Sequence, residues 1–298
     1  MHRRRRPAGG GARSRRRRCG VHVRACGVLA FATRPRVFRR SIVVERIAVV
    51  TGSGQGIGRE IALAFADAGY DLVLAARGVA NLNETAELVN AKGLEAHVVP
   101  TDLTNEADAT TLADTVKMIG PIHALVNNSG IGGPSGPLWE LDVGGWDETF
   151  AVNVRGTFLA TRALVPQMIE LGSGSVTVIG SISGKRPLWG RSAYSASKMA
   201  LVGLVRTLAL EAGPHGIRVN LISPGFVAGP RIDWVIQKQA EGRGLDEAAV
   251  RAEFESESPL GRLTEAREVA DTCVFLASDK AAAITGADIN VNSGVVMY

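Results

Sequence analysis

The chain has 298 residues, 46% of them apolar, 21% charged and 5% aromatic, with 35 glycines. That length can bury a large core without covalent staples, and three cysteines (Cys19, Cys26, Cys273) cannot frame a disulfide scaffold. No run approaches the about 18 consecutive apolar residues of a membrane span, so collagen-like, disulfide-rich, membrane-spanning and wholly disordered classes are excluded.

The net charge of +5 is unevenly divided. Residues 1–46 hold 15 of the 34 Lys and Arg and one of the 29 Asp and Glu, a net of +14, while the other 252 residues net −9. An acidic body offers no nucleic-acid face. Residues 1–43 read as a disordered Arg-rich extension. Three origins stay open for it. Transit peptides are Arg-rich and acid-poor, so organellar targeting is one, and a tail for anionic surfaces is another. The third is upstream sequence foreign to the natural protein, whose start would then fall at Val43 or Val44. Apart from such targeting, a cytoplasmic location is expected. Cys19, His22 and Cys26 have no recognised metal spacing, and no metal site is expected.

From residue 46 the pattern alternates strand and helix. Strands are expected at Arg46–Thr51, Asp71–Ala76, Glu95–Val99, Ala124–Asn127, Ser175–Gly180, Arg218–Ile222 and Asp288–Asn292. Helices are expected at Gly56–Ala68, Asn81–Ala91, Glu106–Met118, Trp146–Leu171, Ser192–Ala212 and Glu265–Ser278. Strands that are continuous apolar runs, separated by helices, imply a parallel sheet covered on both faces. The fold class is therefore α/β, a doubly wound Rossmann sheet of seven parallel strands in one domain spanning 44–298, with ligands at the carboxyl ends of its strands.

Between the first strand and helix lies Thr51-Gly52-Ser53-Gly54-Gln55-Gly56-Ile57-Gly58. Glycines here let backbone N–H groups approach a pyrophosphate, which the helix N-terminus attracts. The acid that would grip the ribose 2′-hydroxyl of NAD at the end of the second strand is missing; Ala76 and Arg77 stand there. A guanidinium suits a 2′-phosphate, which favours NADP(H) over NAD(H).

Tyr194 and Lys198 lie at i and i+4, on one helix face. A phenol with a pKa of about 10 is a poor acid–base group at neutral pH, and a nearby ammonium makes it a usable one. Ser181 follows the fifth strand, where it can reach a substrate carbonyl.

In chain order, Thr51–Gly58, Asp102-Leu103, Asn127-Asn128-Ser129-Gly130, Asn153, Ser181, Tyr194/Lys198 and Pro224-Gly225 resemble the short-chain dehydrogenase/reductase family over residues 44–298, and within it the 3-oxoacyl-carrier-protein-reductase-like branch. The resemblance implies a tetrad. Tyr194 is its general acid/base, Lys198 holds the nicotinamide ribose and lowers the tyrosine pKa, Ser181 polarises the carbonyl and Asn153 anchors a relay water. It implies cofactor contacts from Gly52, Ser53, Gln55, Gly56, Ile57, Arg77, Asp102, Leu103, Asn128, Ser129, Gly130, Pro224, Gly225 and Val227, and a homo-oligomer, tetramer or dimer. Two departures stand out: Ser129 replaces the usual alanine, and Ala228 stands near the place of a threonine that bonds the nicotinamide amide.

The implied function is hydride transfer between NADP(H) and a small-molecule ketone or secondary alcohol, with a catalytically silent nucleotide-binding protein on the same fold as the alternative. Ser183, Trp189, Phe226 and Trp234 are candidate substrate contacts, and Trp139 and Trp146 are expected to pack at the start of the fourth helix. Ile232–Ala240 and Asp246–Phe254 read as two short amphipathic helices within a substrate lid at about 229–262, its apolar face including Trp234, Val235 and Ile236.

Overall fold

The computed structural model describes residues 46–298; expectations for residues 1–43, including Cys19, His22 and Cys26, lie outside them. Seven strands form one parallel sheet in the order β3-β2-β1-β4-β5-β6-β7. They are β1 (Arg46–Thr51), β2 (Tyr70–Ala76), β3 (Ala96–Pro100), β4 (Ile122–Asn127), β5 (Gly174–Ile179), β6 (Ile217–Pro224) and β7 (Asp288–Val291). Helices α1 (Gly56–Asp67), α2 (Val79–Asn90), α3 (Glu106–Ile119), α4 (Val143–Phe150), α5 (Gly156–Leu171), α6 (Ser192–Ala212), α7 (Pro230–Arg243), α8 (Glu247–Ser256) and α9 (Ala266–Ala277) connect them.

The apolar runs are continuous because both faces are buried. In β1, Ile47 and Val49 enter one core layer with residues of α3, α5 and α6, while Ala48 and Val50 enter the other with α1, α2 and α9. The strand order reverses between β1 and β4, so the connections leaving these paired strands run to opposite sides and open a crevice at their carboxyl ends, where a doubly wound sheet holds its ligand. No helix among the described residues is long and apolar enough to cross a membrane.

Two expectations about helices change. The single helix over Trp146–Leu171 is instead α4 and α5 joined by one π turn at Ala151–Arg155. The wider turn rotates Asn153 inward, a side-chain orientation that 3.6-residue periodicity does not anticipate. Trp146 stacks on Phe150, but Trp139 is 84% exposed and does not pack.

The two helices expected within about 229–262 are present as α7 and α8. The apolar face of α7 divides: Ile232, Val235, Ile236 and Ala240 build a separate small core with Val250, Phe254, Phe226 and Ile182, whereas Trp234 turns out of it.

Candidate active site

A cleft of about 560 Å³ runs over the carboxyl ends of β1, β2, β4, β5 and β6. At one end, the loop after β1 makes a cradle. A Cβ on Gly58 would come within 2.1 Å of the Gly52 carbonyl oxygen, so the helix can approach the turn only as glycine. Gly52 and Gly56 have positive φ. Helix α1 has no side-chain cap and no acid in its first turn, leaving its N-terminal N–H groups and their partial positive charge facing the cleft. This geometry fits a pyrophosphate.

The cradle is braced from outside. The Arg59 guanidinium donates to the Gly54 carbonyl at 2.7 Å, to Thr85 Oγ1 at 3.0 Å and to Glu84 at 2.7 Å. Thr85 Oγ1 in turn lies 3.1 Å from the Ser53 carbonyl oxygen. From the other side, Asn128 Nδ2 donates to the Thr51 and Gly52 carbonyls, and Thr51 Oγ1 accepts from the N–H groups of Asn128 and Ser129. Sequence reading missed Arg59 and Thr85, since α2 meets the loop only in three dimensions. Of the cofactor candidates, all but Ser53 line the cleft; Ser53 is buried under the loop, its hydroxyl without a partner.

Arg77 stands exposed where β2 ends at the cleft. Asp102, after β3, accepts from the N–H and hydroxyl of Thr104. Those bonds hold its carboxyl below the usual range, with Arg77 adding attraction.

At the other end, the Tyr194 ring, Lys198, Ser181 and Ser183 line the same cleft. Tyr194 and Lys198 sit in the first two turns of α6. Lys198 Nζ donates to the Ile179 carbonyl at 2.7 Å and lies 5.8 Å from the Tyr194 ring centre. Ser181 caps a single 3-10 turn at Ile182–Gly184, its hydroxyl accepting from the Ser183 N–H at 3.1 Å. That turn is pinned to β7, because Lys185 pairs with Asp288 at 2.8 Å and bonds Asn290 at 2.7 Å.

Burial pushes the Tyr194 phenol up, but Arg231, Lys198, the Ser181 hydroxyl and Arg191 together bring it down to about 8. Burial also lowers the Lys198 ammonium, which the phenol partly offsets.

Asn153 is wholly buried in the π turn. Its Oδ1 accepts from the Ile131 N–H at 2.7 Å, while Nδ2 donates to the Ile131 carbonyl at 3.0 Å and to Ser197 Oγ at 2.9 Å. Ser197 donates onward to the Tyr194 carbonyl at 2.7 Å. The amide thus ties the loop after β4 to the helix that carries Tyr194.

The structure separates the three aromatic candidates. Phe226 lines the cleft and stacks on Phe254 at 4.3 Å. Trp189 and Trp234 instead line a neighbouring hollow of about 420 Å³ with Pro134 and Glu241. Arg191, which sequence reading passed over, lies between the two spaces: it lines the cleft, and its guanidinium rests over both the Tyr194 and Trp234 rings.

A family model described as Enoyl-(Acyl carrier protein) reductase matches residues 52–296. The 3-oxoacyl-[acyl-carrier-protein] reductase FabG of Staphylococcus epidermidis is 32% identical over 256 residues, covering 85% of this chain and all of that protein. Among solved structures, an F189W actinorhodin polyketide ketoreductase with NADPH superposes with a TM-score of 0.82 at 31% identity, covering 86% of this chain and 98% of the other. An NAD+-bound xylitol dehydrogenase superposes at 0.81 with 28% identity, covering 84% and 98%.

Proposed function

Since the chain belongs to the short-chain dehydrogenase/reductase family, and so is an NAD(P)-dependent oxidoreductase acting on CH–OH/C=O groups, we propose that it interconverts a ketone and a secondary alcohol with NADP(H) as the preferred cofactor. The observation that carries this reading is a tyrosine held down to about 8, beside Lys198 and Ser181, in the cleft that also contains the glycine cradle.

A nicotinamide cofactor held in this cleft would supply the hydride for a carbonyl carbon, or accept one from the carbinol carbon of an alcohol in the reverse direction. The chain's own residues handle the proton and the geometry. In reduction, Tyr194 donates its phenolic proton to the carbonyl oxygen as negative charge builds there, and the resulting phenolate is reprotonated from solvent. Ser181 hydrogen-bonds the same oxygen, polarising it before transfer. Lys198, which donates to the Ile179 carbonyl, stabilises the phenolate and would hold the nicotinamide ribose. Asn153 keeps Tyr194 in register through Ser197 and leaves one lone pair of Oδ1 for a relay water.

The cradle, Gln55, Ile57, Leu103, Ser129, Gly130, Pro224, Gly225 and Val227 enclose the dinucleotide, and Arg77 pairs with a 2′-phosphate. Support for NADP(H) comes from that exposed guanidinium and from the lack of an acid at the end of β2. The solved relatives include one complex with NADPH and one with NAD+. A homo-oligomer is the expected assembly. The test is a screen of ketones with NADPH and NADH, and of alcohols with the oxidised forms, followed by nicotinamide absorbance. Ketone-dependent NADPH consumption that disappears in Tyr194→Phe is expected; turnover that survives the substitution overturns the mechanism.

A further inference from the structure

Two arginines crowd the catalytic tyrosine. The Arg191 guanidinium lies 4.8 Å from the Tyr194 ring centre and 5.3 Å from that of Trp234, and Arg231 lies 5.2 Å from the same tyrosine. Arg191 is only 3% exposed, and its Nη1 is buried with no hydrogen-bond partner. The charges that act on it are those of Tyr194 and Arg231, with no carboxylate among them. Arg231, the second residue of α7, has one long contact of 3.5 Å to the Gly130 carbonyl. Acids near it on α7 are engaged elsewhere: Asp233 pairs with Arg251, and Glu241 with Lys238.

A guanidinium taken out of water without a counter-charge is costly and does not persist for stability's sake. Arg191 is the weakest of the four groups that lower the tyrosine pKa, so that task alone does not account for its burial. Gly132 packs directly on the guanidinium, a Cβ there coming within 3.1 Å of Nη2, so a partner can approach only from the cleft, which Arg191 lines. Arg191 and Arg231 flank the Tyr194 ring, both line the cleft, and both offer planar forks suited to a carboxylate.

We propose that the substrate of this oxidoreductase is a keto acid, or the corresponding hydroxy acid, whose carboxylate pairs with Arg191 and Arg231 while its carbonyl or hydroxyl lies against Tyr194 and Ser181. This rests on the carbonyl-reductase reading above and adds the substrate's charge. The ion pair supplies the missing counter-charge and fixes one end of the substrate, so that a carbonyl a few bonds away meets the proton donor.

The experiment compares matched pairs with the full chain and NADPH. 4-Oxopentanoate and 5-oxohexanoate are each set against their primary amides, and cyclohexanecarboxylate against cyclohexanecarboxamide as inhibitors of whichever ketone turns over in the screen. Assays run well below pH 8, where the phenol is protonated whatever its neighbours do. The carboxylates are expected to exceed the amides in kcat/KM or inhibitory potency by about tenfold to a hundredfold, as one charge-assisted contact provides. In Arg191→Gln that ratio should collapse toward one, whatever happens to kcat/KM for the amides themselves; Arg191→Lys should restore part of it.

Amides and acids handled equally by the wild type would overturn the proposal while leaving the oxidoreductase reading standing. Failure of every ketone, charged or neutral, sinks that reading instead. If Arg231→Gln weakens NADPH binding and leaves the acid-to-amide ratio intact, Arg231 serves the cofactor and its part in the proposal falls. The wild-type comparison decides the central point even if a variant fails to fold.

Discussion

At the glycine-loop end of the cleft the chain's own side chains bond the loop carbonyls, whereas at the tyrosine end two cations stand without a carboxylate among the described residues. The carbonyls of Gly52 and Gly54 accept from Asn128 and Arg59, and the Thr85 hydroxyl donates to the Ser53 carbonyl, although the Ser53 hydroxyl is buried without a partner. Around Tyr194, by contrast, Arg191 keeps a buried nitrogen unpartnered, and Arg231 holds a single long contact. A braced, shape-fixed cradle suits a cofactor that is the same in every turnover. Unpaired cations suit a partner that arrives and leaves, because its charge then contributes to binding. One end of the site is preorganised by the chain; the other is completed by the ligand.

The sharpest way to break this contrast is at the reacting atom. Tyr194→Phe should lower kcat by about 100- to 10,000-fold, the usual contribution of a positioned acid–base group, with NADPH affinity by fluorescence titration nearly unchanged. A variant that also lost the cofactor would mean the two ends are not separable.

At the opposite end, Gly58→Ala puts a methyl group 2.1 Å from the Gly52 oxygen. Neither backbone can yield without opening the cradle. Overpacking of this kind costs about 1–3 kcal/mol, and here it should appear as loss of NADPH binding together with a lower Tm. Retained affinity would show that the braces from Arg59 and Asn128 do not fix the loop.

Arg77→Ala should weaken NADPH by about tenfold to a hundredfold, the worth of one charge-assisted contact, and leave NADH unchanged. Equal losses for both cofactors would remove the 2′-phosphate assignment.

The pH profile addresses the tyrosine end without mutation. Reduction needs the protonated phenol, so its kcat/KM should be level below about 8 and fall tenfold per unit above it. Oxidation needs the phenolate and should rise tenfold per unit up to about 8, then level. Profiles that turn only near the ordinary phenol value would mean the surrounding cations do not act on it.

The smallest effect is outside the cleft. Glu268 completes a capping box at the start of α9 and is held near a pKa of about 2 by Arg262 and the Glu265 N–H. Its folded value is depressed, so its contribution is present above the normal carboxylate range and fades as pH falls toward 2. Glu268→Ala should cost about 0.2–1 kcal/mol, since its pairing with Arg262 is screened by solvent, read as a lower Tm at neutral pH with no change in kinetics, and the difference should shrink in acid.

Most of the fold was legible along the chain. Strand β1 and the glycine loop are set by adjacent residues, and Tyr194 and Lys198 share a face because four residues nearly complete a turn. The helix periodicity carried α6 to its observed bounds, Ser192–Ala212. It failed at Asn153, which sits in a π turn and bonds both backbone groups of Ile131, 22 residues away. It also treated Trp234, Val235 and Ile236 as one face, although packing against α8 buries the latter two and leaves Trp234 over Arg191.

By itself, then, the sequence determined the alternation of strands and helices, the parallel sheet, the glycine turn and the shared helix face of Tyr194 and Lys198, since each follows from spacing within a few residues. Tertiary structure alone decided that Arg59 and Thr85 brace the cradle, and that Arg191 and Arg231, forty positions apart, flank one phenol with no acid between them. Local patterns carry no record of which distant side chains will share a desolvated space. The cost of leaving a charge there unpaired, which points to the substrate, exists only once the chain has folded around it.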